Sequence, residues 1–79
     1  MTPDEETIKQ LLSDRIENDF SYHAPQGDQV TRYNKLRYKA KEFALLIAEI
    51  TPYSREQSLA LTHLEEAVMF ANAAIARHE

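Results

Sequence analysis

An all-helical fold is what this chain predicts, and three observations carry the prediction. The 79 residues contain one Gly and three Pro, beside many Ala, Leu and Glu, which is the composition of good helix formers. Apolar residues recur at helical spacing in three separate stretches. Capping residues stand ahead of each stretch, and the Pro residues fall at the starts and ends where a helix tolerates or requires them. The expected architecture is an N-terminal helix plus an antiparallel pair of longer helices in a single helical domain spanning 1–79, assembled as a homo-oligomer.

The first helix opens at Thr2-Pro3-Asp4-Glu5. Thr2 is the expected cap, Pro3 suits the first helical position, and Glu5 completes a capping box. Ile8, Leu11, Leu12 and Ile16 follow at helical spacing, and the helix is expected to fray near Asn18 to Phe20. Pro25 and Gly27 then break the chain. Asp28 is the expected cap of a second helix reaching about Ile50, with an apolar stripe of Val30, Tyr33, Leu36, Ala40, Phe43, Ala44, Ile47 and Ile50. Thr51-Pro52 ends it, because a residue before Pro is pushed out of helical geometry. Ser54-Arg55-Glu56-Gln57 reads as a second capping box and starts a third helix that runs to the C-terminus. The short connection around Pro52 makes helices two and three an antiparallel hairpin. There is no internal repeat and no low-complexity segment.

The third helix contains ten residues, Ala67 to Ala76, of which only Asn72 is polar. A helix apolar on all sides must be covered on all sides, and two short companions in one chain do not achieve that. A lone domain of this length is also marginally stable. The chain has no Cys, so neither a disulfide nor a thiolate zinc site can reinforce it. Oligomerisation is the remaining common remedy. Its Ala residues would let backbones approach closely, and Asn72 would fix register across an interface. The plainer alternative is that Phe70 and Ala73 are simply exposed on a monomer.

The net charge of −4 conceals a pattern. Residues 1–26 carry six acids and two bases; residues 27–41 carry Asp28 against Arg32, Lys35, Arg37, Lys39 and Lys41; residues 42–79 again carry six acids and two bases. The overall acidity argues against long duplex nucleic acid as a partner. One short basic segment suits a compact phosphodiester or polyphosphate, or it is an ordinary solvated helix face with i,i+4 pairs. No apolar run approaches the roughly 20 residues of a membrane span. The acidic N-terminus lacks a signal-peptide core, so a soluble intracellular protein is expected.

Catalytic and metal-binding sets are hard to assemble from this sequence. His23, His63 and His78 have no i,i+3 or i,i+4 relation to one another. His63-Leu64-Glu65-Glu66 lacks the second His of a zinc-hydrolase motif. Ser21 and His23 are loop neighbours that seldom converge as a triad, and no Gly-rich oxyanion turn accompanies them. A single Gly excludes a phosphate-binding loop and a dinucleotide fingerprint. Glu65 and Glu66 point to different sides of a helix and make a poor acid–base pair. The expectation is a protein that is not an enzyme and uses no cofactor or metal.

The segment Phe20-Ser21-Tyr22-His23-Ala24-Pro25 is different. It sets aromatic surface at a forced chain break, just ahead of the basic helix, and aromatics stack on bases while cations hold phosphates. Tyr33, Arg37 and Lys41 lie along one edge of the second helix at i, i+4 and i+8. Arg37 intrudes beside the apolar stripe, where it needs either an acidic side chain or a phosphate. Tyr33 taken alone reads more readily as a core aromatic than as a ligand contact.

These residues resemble a known family. Phe20-x-Tyr22-His23-x-Pro25, Gln29, Tyr33, Leu36-Arg37, Ala40, Phe43-Ala44, Pro52-x-Ser54, Ala60, Leu64, Glu66-Ala67-Val68-Met69, Ala71-Asn72-Ala73 and Ile75-Ala76-Arg77 are similar in order and spacing to the phage anti-CBASS sponge proteins. The resemblance covers about residues 20–78, so residues 1–19 look like an added helix on a sponge-like core at 20–79. It implies a small helical homohexamer. Such a protein binds cyclic oligonucleotide second messengers without cleaving them, so the effectors of bacterial CBASS immunity are starved. The implied ligands are cyclic dinucleotides such as 3′,3′-cGAMP, held between protomers, and cyclic trinucleotides at separate sites. By resemblance, Tyr22 stacks on a purine, Arg37 lies near the dinucleotide phosphates and Lys39 is a nearby contact. Asn72 and Arg77 fall on the segment linked to trinucleotide sites, and His23 and Pro25 shape the loop. The implied setting is the cytoplasm of an infected bacterium, with neither DNA, RNA nor membrane as partner. The competing reading is a small helical protein–protein adaptor or regulator without a nucleotide ligand.

Overall fold

The structure is a computed structural model and describes residues 4–79; the expected roles of Thr2 and Pro3 lie outside the described residues. Three helices follow in order: α1, Glu5–Asp19; α2, Gln29–Ile50; and α3, Arg55–His78. No strand occurs among the described residues.

Each helix start has a local cause. At α1 the cap is Asp4, whose carboxylate accepts from the Thr7 backbone N–H at 2.7 Å. That bond holds the Asp4 carboxyl below its ordinary pKa. Glu5 is therefore a first-turn residue, placed with Glu6 where the helix dipole favours negative charge. At α2, Asp28 occupies the cap position but makes no side-chain cap bond. A capping side chain works from extended backbone, whereas Asp28 has φ −87° and ψ 8° directly after Gly27 at φ 54°. Its carboxylate turns instead to the Arg32 Nε, 3.2 Å away. At α3 the Ser54 hydroxyl accepts from the Gln57 N–H at 3.1 Å, as expected. The reciprocal half of the box is absent, because the Gln57 amide donates to the Thr51 carbonyl and hydroxyl, both at 3.1 Å. This ties the start of α3 to the end of α2, where Thr51 has turned to ψ 149° ahead of Pro52.

Helices α2 and α3 pack on each other. Along α3 and its cap a run of half-buried residues is spaced alternately by three and four, Ser54, Gln57, Leu61, Leu64, Val68, Ala71 and Ile75, and Asn72, Ala73, Ala76 and Arg77 widen the covered face at the C-terminal end. The alternating run has the spacing of a narrow seam rather than a broad face. From α2 the seam receives Tyr33, Leu36, Ala40, Ala44 and Ile47. The expected stripe was wider than this. Val30, Phe43 and Ile50 stay 52%, 55% and 69% exposed, because one partner helix covers only one seam of α2. At the far end of the pair, Arg32 donates to both carboxylate oxygens of Glu79, one of them at 2.7 Å. These bonds pull the Glu79 carboxyl down to about 2 and raise the Arg32 guanidinium further.

None of the described residues is buried. The radius of gyration is 17.5 Å, against about 12 Å for a compact domain of this length. Helix α1 contributes to that extension. Its apolar residues Ile8, Leu11, Leu12 and Ile16 remain about half exposed, and it is held chiefly at its base. There the Asn18 amide donates to the Arg77 carbonyl at 3.0 Å, and the Arg77 guanidinium lies 3.6 Å from an Asp19 carboxylate oxygen. No helix among the described residues is long and apolar enough to cross a membrane.

Candidate functional site

The connection between α1 and α2 is fixed by short-range bonds. The Ser21 hydroxyl donates to the Glu17 carbonyl, one turn back on α1. His23 donates from Nε2 to the Asn18 carbonyl at 2.8 Å. The Gln26 N–H donates to the Gln29 side chain at 2.9 Å, and Gly27 supplies the left-handed turn into α2. With its neighbours held on both sides, Tyr22 projects outward, its residue 88% exposed.

Beside this loop lies an open concavity of about 360 Å³, which Tyr22, Tyr33, Arg37, Asn72 and Arg77 line with Asp19. The loop contributes Tyr22, α2 contributes Tyr33 and Arg37, and α3 contributes Asn72 and Arg77. Ala73 and Ala76 keep its α3 wall low. Four of the five residues nominated from sequence thus meet in one place, although they come from segments up to 55 positions apart (Arg77 minus Tyr22).

The electrostatics differ from residue to residue. Arg37 donates to the Asn34 side-chain carbonyl at 2.9 Å and makes no ion pair among the described residues. Neither an acidic neighbour nor burial consumes its charge. Arg77 is partly spoken for, since Asp19 receives its guanidinium through both carboxylate and backbone carbonyl, at 3.6 and 3.4 Å. Asn72 has its side-chain oxygen shielded from solvent with no hydrogen-bond partner among the described residues. Such an orphan acceptor is costly, on the order of 1–3 kcal/mol.

Lys39 is not brought to this concavity. It lies on the other side of the α2–α3 seam, along a groove with Arg32, Lys35 and Leu36. There it approaches Glu42 at 3.4 Å, and its ammonium lies 5.8 Å from the centre of the Tyr38 ring. His63 is likewise remote, exposed and 3.4 Å from Glu66. Among the described residues no three His, Asp or Glu side chains cluster as metal ligands would.

Sequence reasoning passed over Asn18 and Asp19. They are polar residues at a helix end, and their partner Arg77 is more than fifty positions away. No periodicity marks such a pairing. The wall residues Ala73 and Ala76 were legible only as part of an unusually apolar helix.

Residues 13–76 match the family described as Acb2/Tad1, hairpin domain. No curated protein and no solved structure matches the chain. The matched span takes in the end of α1, the loop and nearly all of the α2–α3 pair.

Proposed function

Since the chain belongs to the Acb2/Tad1 hairpin family, the anti-CBASS cyclic-oligonucleotide sponges, we propose that it binds and sequesters cyclic oligonucleotide second messengers without cleaving them. In this reading it acts in the cytoplasm of the infected bacterium and blunts CBASS immunity. The ligands are cyclic dinucleotides such as 3′,3′-cGAMP, with cyclic trinucleotides as a second class. The observation that carries the reading is the meeting of Tyr22, Arg37, Asn72 and Arg77 around one concavity.

Each residue has a physical task there. Tyr22 offers an exposed ring face to a purine, worth about 1–3 kcal/mol per stacked base. Arg37 offers a guanidinium without an ion-pair partner to a phosphodiester, which it can grip with two donors. Arg77 adds a second cation once a ligand phosphate competes with Asp19.

The working unit in this proposal is a homo-oligomer, a hexamer by family, built from antiparallel pairs of α2 and α3. Absence of any buried residue among those described supports an assembly, because one seam of half-covered side chains is a small core for a chain of 79 residues. A concavity of about 360 Å³ lies near the lower end of the range for small-molecule sites. A second copy would enlarge it and close it over a cyclic dinucleotide. Lys39 faces the other side of its own chain, so its contact belongs to a neighbouring copy. The orphan oxygen of Asn72 would receive its donor from a ligand or from that neighbour.

The test is recovery of ligand. The protein is incubated with 3′,3′-cGAMP, freed of unbound nucleotide, then denatured, and the released material is identified by mass. Intact cyclic dinucleotide supports sequestration, whereas linear product replaces it with nuclease activity. The exposed Phe43, Met69 and Phe70 favour a second reading, a helical protein–protein adaptor. That reading gains if no nucleotide is retained and a host protein co-purifies stoichiometrically.

A further inference from the structure

The side of the α2–α3 pair opposite the Tyr22 concavity carries a groove of its own. Two adjoining hollows of about 380 and 330 Å³ share Leu36 and Lys39. Their apolar lining comes from Leu36, Phe43, Ala67, Val68, Ala71 and Ile75, and no carboxylate lines either hollow. Lys35 stands on the rim and has no ion-pair partner among the described residues. The groove therefore asks for an occupant that is apolar on one side and acidic on the other.

Helix α1 is such an object. Ile8, Leu11, Leu12 and Ile16 form its apolar stripe, each 49–59% exposed. Between Glu5 and Asp19 it holds five acids (Glu5, Glu6, Asp14, Glu17, Asp19) against Lys9 and Arg15, net −3. Its base is pinned to the end of α3 by Asn18, Asp19 and Arg77, and its stripe does not lie on its own hairpin. At 1.5 Å per residue α1 is about 22 Å long, and the α2 stretch from Arg32 to Phe43 spans about 17 Å. Length, polarity pattern and charge all match.

We propose that α1 of one copy docks, apolar stripe down, into the Leu36–Ala71 groove of a second copy, with its acids beside the second copy's Lys35. Helix α1, of which only residues 5–12 lie outside the family's matched span, thereby becomes part of the assembly, clamping neighbouring copies from the side away from the nucleotide concavity. The exchange rests on the oligomer in the proposed function and not on its ligand.

Engineered thiols test this cleanly, because the chain has no Cys. Full-length Leu12→Cys and Ala71→Cys chains are prepared separately, mixed, and oxidised mildly. The expected result is a disulfide-linked dimer containing one chain of each kind, formed at least several-fold faster than in either chain alone. Adding Lys35→Glu to the Ala71→Cys chain should slow its formation several-fold at low salt and much less at high salt. Circular dichroism of each variant confirms that helix content is retained. A mixture that cross-links no faster than the separate chains overturns the docking. So does a Leu12→Cys/Ala71→Cys double variant that closes within a single chain. If light scattering still gives an oligomer in either case, the assembly survives and only the placement of α1 falls.

Discussion

Gly27 and Glu79 show how single residues set up this structure. Gly27 has φ 54° and nothing within 4 Å of where a side chain would start, so an Ala there meets no clash and only backbone strain. Left-handed geometry costs an L-residue roughly 1–2 kcal/mol. Gly27→Ala should therefore destabilise the protein by about 1 kcal/mol in urea unfolding and loosen the turn that presents Tyr22. Glu79 is different, because its contribution depends on pH. Its carboxyl is held near 2 against an ordinary 4.5, first by hydrogen bonds from Arg32. A carboxyl depressed in the folded state adds stability above its unfolded pKa and loses it as pH falls through the folded value. The melting temperature should thus fall between about pH 4.5 and pH 2, and Glu79→Gln should flatten that part of the profile. The pair is exposed, so the effect is modest and shrinks in high salt.

At the scale of helices, most of the architecture was legible and the reasons are local. The end of α2 and the start of α3 follow from Pro52 and Ser54, whose effects act within four residues. Replacing Ser54 by Ala should remove the bond to the Gln57 N–H and cost about 1 kcal/mol, read as a lower unfolding midpoint with unchanged slope. The starts of α1 and α2 were less legible. The sequence reading named Thr2 as the cap of α1, whereas Asp4 caps it, and it could not show that Gly27 would turn Asp28 toward Arg32. The width of the α2 stripe was overread for a further reason. Periodicity records which residues are apolar, but not how many neighbours arrive to cover them. The clasp between α1 and α3 left no pattern at all, being built from side chains of Asn18, Asp19 and Arg77 that no local rule connects. For the candidate site, sequence gave the residue types, and only the packing of α3 beside the loop brought Asn72 and Arg77 to Tyr22 and Arg37.

For the whole molecule, the governing fact is that the described residues of one chain make a scaffold but no enclosed core. One copy leaves Met69 and Phe70 exposed by 60% and 69%, apolar surface that the proposed assembly would cover. Light scattering of the purified protein should accordingly report a multiple of the 9.1 kDa chain mass, with unfolding that depends on protein concentration. The same incompleteness bears on the proposed function, in which a shallow site on one copy gains depth from another. Calorimetric titration with 3′,3′-cGAMP, comparing the unaltered protein with Tyr22→Ala and Arg37→Ala, tests this account most directly. The account predicts saturable binding near one ligand per two chains. It predicts a loss of about tenfold or more in affinity for each variant, the size expected from losing a stacked base or a charge-assisted bond. Absence of heat with every cyclic di- and trinucleotide tried, or binding that both variants leave unchanged, would contradict it.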